Sequence, residues 1–195
     1  MPRAYTLKKR AQQQAETRRR IVEAAVDLHG SVGPVKTTIS MIAERAGVQR
    51  HTVYAHFPDE RSLFMACSGR VMERDPLPDP GAWRAIDDRQ DRLRAGLGAL
   101  YAWYERNAEL VACVLRDSEV HALTREVSEL RMGSSMSAIV EVLGAGLSEN
   151  QGALLKLAVS YHTWRCLVRE AGLDAEAAVD AMVRTVTLPN RKRVP

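Results

Sequence analysis

Residues 37–57 read Thr37-Thr-Ile-Ser-Met-Ile-Ala-Glu-Arg-Ala-Gly-Val-Gln-Arg-His-Thr-Val-Tyr-Ala-His-Phe57. The stretch predicts two short helices, roughly 39–46 and 50–56, joined by a sharp turn. Thr38 is placed to cap the first, Ile42 and Ala46 face inward, and Ala43 is small where the helices must cross closely. Gly47 permits a left-handed backbone just past a helix end, and Val48 plugs the turn into the core. Val53 is the inward position of the second helix. A small residue, a glycine four later and a branched apolar residue six after that make the spacing of a helix-turn-helix.

The second helix leaves Gln49, Arg50, His51, Thr52, Tyr54 and His56 on its outer side. All can donate hydrogen bonds and none is acidic, which suits a helix whose first side chains meet base edges and whose flanks meet phosphates. The other reading of the same residues is a plain helical hairpin with a polar face.

Charge points the same way. Residues 1–75 hold 13 Lys and Arg against 8 Asp and Glu, whereas the other 120 residues balance to −1. Within the first twenty, Arg3, Lys8, Lys9, Arg10, Arg18, Arg19 and Arg20 face Glu16 alone. A basic front on a neutral body suits a polyanion at one end only. Behind the motif, Ile21, Ala24, Ala25, Leu28 and Val32 mark the inner face of a first helix ending near Gly30, which Ala11–Glu16 extends backward. In front of it, Asp59 caps a fourth helix carrying Leu63, Phe64, Cys67 and Val71. Asp75-Pro-Leu-Pro-Asp-Pro-Gly81 then puts three prolines in five residues, and a domain boundary is expected there. The expected plan is a basic extension over 1–17, a head over 18–75 and a body over 82–188.

The body again reads as helix. Asp79-Pro80 is an N-cap and first-position pair for a helix to about Glu105, striped by Ile86, Gln90, Leu93, Leu97, Leu100 and Tyr104. Helices follow at about 107–117 and 120–147. Ser148-Glu-Asn-Gln151 is a capping box for one running to Gly172, and Asp174 caps a last one to about Thr187, before a frayed tail over 189–195. The helix over 150–171 is apolar on several sides, through Leu154, Leu155, Leu157, Ala158, Val159, Tyr161, Trp164, Leu167 and Val168. With the last helix (Ala177, Ala178, Ala181, Met182, Val186) it is suited to half of an intermolecular four-helix bundle, or to intramolecular core alone. The fold class is all-α in two domains.

The segment from Arg18 to about Arg74 resembles the DNA-binding domain of the tetracycline-repressor (TetR) family. Ile21-Val-Glu-Ala-Ala25, Thr37-Thr38, Ile42-Ala43, Ala46-Gly47-Val48, Thr52-Val53-Tyr54, His56-Phe57 and Leu63 carry the likeness, over under a third of the chain. It implies an all-α regulator with a three-helix head, a linking fourth helix and a larger helical domain for effector binding and dimerisation. It also implies that Thr38 holds a phosphate, that Gln49, Arg50, His51 and Thr52 enter the major groove, and that Tyr54 and His56 hold backbone phosphates. Gln49 stands where the family often has serine, and Glu60 where a phosphate-binding lysine is common, with Arg61 beside it as a partial replacement.

The expected partners are double-stranded operator DNA, a second copy of the chain and a small-molecule effector, with repression relieved by that effector. Candidate effector contacts are Gln90, Trp103, Tyr104, Met132, Met136 and His162, polar groups and soft walls in a mostly apolar site. A helical core offers each of these residues an equally ordinary place. No cofactor, metal site or catalytic group is expected: H-E-x-x-H, G-x-S-x-G, P-loop and G-x-G-x-x-G patterns are absent. That leaves a DNA-modifying enzyme or a non-specific architectural binder as the competing classes. Neither a membrane span nor a signal peptide is read. Cys67, Cys113 and Cys166 are far apart and read as buried thiols of a cytoplasmic protein.

Overall fold

The structure, a computed structural model, describes residues 2–188, with side chains from Lys8 onward. Among the described residues there is helix and no strand. In order they form α1 (Pro2–Ser31), α2 (Ile39–Ala46), α3 (Arg50–His56) and α4 (Glu60–Arg74), then a 3₁₀ turn at Pro80–Trp83. There follow α5 (Arg89–Ser118), α6 (Ala122–Ser128), a π-helical turn at Glu129–Gly133 and α7 (Ser134–Gly144). Last come α8 (Glu149–Ala158), α9 (Tyr161–Trp164), a second π-helical turn at Arg165–Glu170 and α10 (Ala175–Thr187). The tail at 189–195 and the Arg3 side chain lie outside the described residues.

The chain divides into two compact units, one of residues 1–76 with 109–131, the other of 77–108 with 132–195. In the first, α1 packs on α2 and α4, α2 on α3, and α4 on α6. Ile21, Ala25, Ile42, Val53, Phe57, Leu63, Cys67 and Val71 fill its core. In the second, α8 packs on α7 and α10, around Leu93, Leu97, Leu100, Tyr101, Ile139, Leu143, Leu155 and Trp164. Residues 109–131, inside the body expected over 82–188, group with the head in this division. A boundary drawn at prolines could not register a helix whose two ends belong to different cores.

The three passages between units fall on irregular backbone. The first is Pro76-Leu77-Pro78. The second is α5 next to Asn107, whose φ and ψ of −115° and 16° interrupt the helix and whose amide donates to the Trp103 carbonyl at 3.0 Å. The third is the π-helical turn at Glu129–Gly133. Each is a place where the hydrogen-bond ladder is broken or widened.

Three expected helices differ in detail. Asp79 caps only the 3₁₀ turn, accepting from Gly81 N–H at 2.9 Å, and the long helix starts at Arg89. The helix expected over 120–147 is divided by the first π-helical turn. The one expected to Gly172 breaks at Ser160, whose hydroxyl accepts from His162 N–H at 3.2 Å. The break leaves carbonyls of α8 without helical partners, and α5 supplies them: Tyr101 and Tyr104 hydroxyls donate to Ala158 O and Val159 O at 2.9 and 2.7 Å. Two buried tyrosines thus make an interruption affordable that periodicity alone did not announce. Downstream, the wider π turn leaves Cys166 exposed, correcting the expectation of a buried thiol, while Cys67 and Cys113 are buried.

Candidate nucleic-acid interface

The helix-turn-helix folds as its residues dictate. Thr38 is extended and its hydroxyl accepts from Met41 N–H at 3.2 Å, closing the first turn of α2. Gly47 sits at φ 63°, ψ 42°, where any Cβ is strained, and Val48 N–H returns to Ala43 O at 2.9 Å to close the helix end. Ile42, Ala43 and Ala46 are buried on α2, and Val53 is the buried residue of α3. A salt bridge from Arg45 to Asp27 (3.2 Å) and another from Arg70 to Glu23 (2.6 Å) tie α2 and α4 to α1.

The outward side of α3 carries the residues singled out from the sequence. Gln49, Arg50, His51 and Tyr54 are exposed, and Thr52 and His56 are half-buried. Gln49 caps α3 by backbone position only, with no hydrogen bond from its side chain. Among the described residues none of these six side chains makes an ion pair or hydrogen bond. Tyr54 stands 49% exposed, an unusual place for an aromatic ring with no partner. Thr38, exposed at the start of α2, keeps its remaining hydroxyl capacity toward solvent.

The basic residues around this face divide into two kinds, which sequence alone did not separate. Arg18 lies over the Phe57 ring, 4.3 Å from its centroid. Arg19 pairs with Glu16 at 2.7 Å. Arg20 donates from Nε to Ala46 O at 3.1 Å and from Nη2 to the Ala46 and Gly47 carbonyls, the latter at 3.0 Å. That guanidinium closes over the C-terminal carbonyls of α2, where a cation is also favoured by the helix dipole. Twenty-six residues separate Arg20 from Ala46, so no local pattern marks the contact. Arg61, expected to replace a missing lysine, instead meets Glu126 at 2.7 Å, while Glu60 stands 3.8 Å from His121. Arg61 is thereby engaged with α6, and Glu60 approaches the residue that precedes it.

The loop before α2 is fixed from another direction. The Asp117 carboxylate accepts from Val35 N–H and from Arg116 Nε, each at 2.8 Å. Burial opposes its charge, but the Arg116 and Val35 hydrogen bonds and the Arg116 and Lys36 charges outweigh it and hold the carboxyl below the ordinary aspartate value.

The candidate effector contacts all lie in the second unit, in different settings. Trp103 and Tyr104 are buried with ring centroids 5.8 Å apart, and Tyr104 also meets Tyr161 and Trp164. Met132 and Met136 are half-buried, whereas Gln90 and His162 are exposed and do not interrupt the buried stripe. A buried donor that sequence did not pick out is Trp164 Nε1, which like Arg92 Nε has no hydrogen-bond partner among the described residues. No helix of the described residues is long and apolar enough to cross a membrane.

A glycine-turned helix pair presenting an unspent, non-acidic face defines a helix-turn-helix DNA-binding protein. Residues 21–67 match the family model of bacterial regulatory proteins, tetR family. A regulator of Mycobacterium bovis, the HTH-type Mb2274c, is 30% identical over 141 residues, 70% of this chain and 68% of that one. The tetracycline repressor protein class A from transposon 1721 of Escherichia coli is 26% identical, over 80% of this chain and 68% of its own. Matches at 34% identity to two Pseudomonas putida regulators, TtgW and SrpR, span only 63% and 40% of those proteins. Among solved structures, the multidrug binding protein EbrR complexed with imidazole has the same fold, with TM-score 0.60 at 19% identity over 88% of this chain and 96% of that one. The chain belongs to the tetR family, whose members are helix-turn-helix transcriptional regulators and not enzymes.

Proposed function

We propose that the protein is a homodimeric repressor that reads an operator through α3 and leaves it when the second unit binds a small molecule. The observation carrying the DNA reading is the set Gln49, Arg50, His51, Thr52, Tyr54 and His56, uncommitted on one helix while neighbouring arginines are spent internally. In this reading Gln49, Arg50, His51 and Thr52 meet base edges, and Thr38, Tyr54 and His56 meet phosphates. Arg61 takes no part, being paired with Glu126, and Glu60, an acid, does not meet a phosphate.

Repression and release follow the names borne by relatives, a tetracycline repressor and a multidrug-binding protein. The second unit supports an effector site in chemical terms. Its Trp103, Tyr104, Tyr161 and Trp164 rings form a cluster in which the hydroxyls of Tyr104 and Tyr161 donate to backbone carbonyls. Trp164 Nε1 is left as a buried donor. An aromatic or apolar molecule bearing one acceptor suits such a setting, with Met132 and Met136 as adaptable wall. Release by a hundredfold needs about 2.7 kcal/mol of preference for one state, within the reach of one filled apolar site.

In-vitro selection followed by gel shift tests the reading. A consensus should emerge, and Arg50→Ala should cost about 1–3 kcal/mol while relaxing preference at one or two base pairs. Equal weakening on every sequence would move Arg50 to a phosphate. The same gel shift, repeated with compounds that raise the melting temperature, tests release; binders that leave operator affinity unchanged would remove the effector from the mechanism.

A further inference from the structure

The face of α1 that packs into the head runs through Ile21, Ala24, Ala25 and Leu28, all buried. Carried backward in the same three- and four-residue steps, it passes Thr17, Gln14, Gln13 and Arg10. Thr17 is half-buried and the other three are exposed. One face is therefore apolar along half of the helix and hydrogen-bonding and basic along the other half. It carries no acid: Glu16 lies off it and is held by Arg19. Lys9 borders this face and Lys8 lies on the opposite side of the helix.

The direction of α1 within the head says where that face lies. Near its C-terminal end Gly30 approaches Leu110, at 3.8 Å from an ideal Cβ to the leucine Cβ. Ten residues earlier the helix flanks both ends of α3: Arg20 on the Ala46 and Gly47 carbonyls before it, Arg18 on the Phe57 ring after it. Thus α1 runs from the 109–131 segment toward α3 and continues past it. Arg10, eleven residues before Ile21, stands about 16 Å further along at 1.5 Å per residue. Duplex DNA seated on α3 continues beyond it on either side, and the groups it offers there are phosphates.

We infer that this stretch of α1 is a second DNA-contact element outside the helix-turn-helix. Lys9 and Arg10 neutralise phosphates flanking the half-site, and Gln13 and Gln14 hydrogen-bond to the same backbone. The inference rests on DNA binding through α3. The sorting of charges supports it: Arg18, Arg19 and Arg20 are engaged within the head, whereas Lys8, Lys9 and Arg10 have no ion pair or hydrogen bond among the described residues. Phosphate contacts carry register and affinity but no base preference.

The test uses the full chain and its selected duplex, with and without about ten further base pairs on each side, roughly one helical turn. The wild type should bind the longer duplex more tightly, with a salt slope steeper by about 1.8 for the two contacts of each bound head, or about 3.6 for the dimer. Lys9→Gln/Arg10→Gln should lose that increment and become indifferent to trimming, at unchanged melting temperature and unchanged consensus. Lys8→Gln should behave as wild type. A wild type that does not distinguish the two duplexes, or a double variant that keeps its slope, overturns the inference while leaving α3 as the reader. A double variant of altered oligomeric mass would show that the stretch meets a second copy of the chain instead, which also overturns it. Failure to select any duplex would remove the DNA reading and this inference together.

Discussion

At the scale of single residues, the lesson is that basic charge near a recognition helix is not one commodity. Arg20 spends its donors on the carbonyls of the turn between α2 and α3, and Gly47 leaves just enough room, an ideal Cβ there lying 3.2 Å from Arg20 Nη2. Its expected work is to fix the angle at which α3 enters rather than to hold DNA. Arg20→Met should therefore weaken operator binding several-fold while leaving the slope of log K against log salt unchanged, because no counterion-releasing contact is lost. A slope shallower by about 0.9 per bound head, or about 1.8 for the dimer, would make Arg20 a phosphate ligand. Arg20→Lys should restore little, since an ammonium cannot span two carbonyls as the flat guanidinium does. The residues of α3 were legible in the sequence because a polar, acid-free outer face follows directly from helical spacing around Val53. Arg20 and the Arg61–Glu126 pair were not, since each depends on a contact across tens of residues, nor was Trp164 Nε1, whose burial without a partner is set by the packed fold. The stripe Arg10, Gln13, Gln14 and Thr17 was readable from spacing in principle, but charge counting alone pointed to all seven basic residues equally.

At the scale of elements, caps and turns were written locally and the interruptions were not. Thr38, Asp59, Ser148 with Gln151, and Asp174 cap the helices they precede, because capping needs only a side chain and the next three residues. The break at Ser160 depends on distant partners, Tyr101 and Tyr104, and periodicity ran through it and through the two π-helical turns, whereas the interruption at Asn107 falls where one helix was expected to end near Glu105 and the next to begin near 107. Within the head, the meeting of α1 and α4 carries a pH dependence of its own. His29 on α1 is 5% exposed, packs against Phe64 with ring centroids 5.0 Å apart and planes tilted by 50°, and has Cys67 Sγ 3.5 Å from Nδ1. Burial pushes the imidazole down to about 4, against a small opposing pull from Asp117, and pushes the Cys67 thiol up to about 12. Between the ordinary value of 6.5 and about 4 the unfolded chain binds a proton that the folded head does not. Stability is therefore unaffected above that window and falls as pH drops through it, by up to about 3 kcal/mol. Melting temperature measured from pH 7 to pH 4.5 should show the decline, and His29→Phe should flatten it. An equal decline in the variant would place the sensitive group elsewhere.

At the scale of the whole molecule, one recognition helix reads too few base pairs to single out an operator, so a regulator of this kind is expected to use two related by a dyad. The elements proposed for the dyad are α8 and α10, which pack on each other within the second unit. Their side chains divide cleanly. Leu155, Ala158, Ala178, Val183 and Val186 are buried at 1% exposure or less and belong to the protomer's own core. Leu157 on α8 is 51% exposed and Leu188, just past α10, is 58% exposed, with Ala181 and Met182 half-buried on α10. A substitution at Leu155 would therefore unfold the unit and report nothing about assembly, whereas Leu157 is the informative probe. Light scattering of the wild type should give twice the 21.7 kDa of one chain. Leu157→Glu should give a single chain with unchanged helical circular dichroism, since no core contact is lost. Its binding to the full operator should fall by about 10²–10⁴, the gain that two linked heads have over one, while binding to an isolated half-site stays as it was. A variant that remains dimeric would move the interface off α8. A wild type that is monomeric at micromolar concentration would end the dimer proposal, and with it the expectation of a palindromic site whose half-sites lie about 34–36 Å apart.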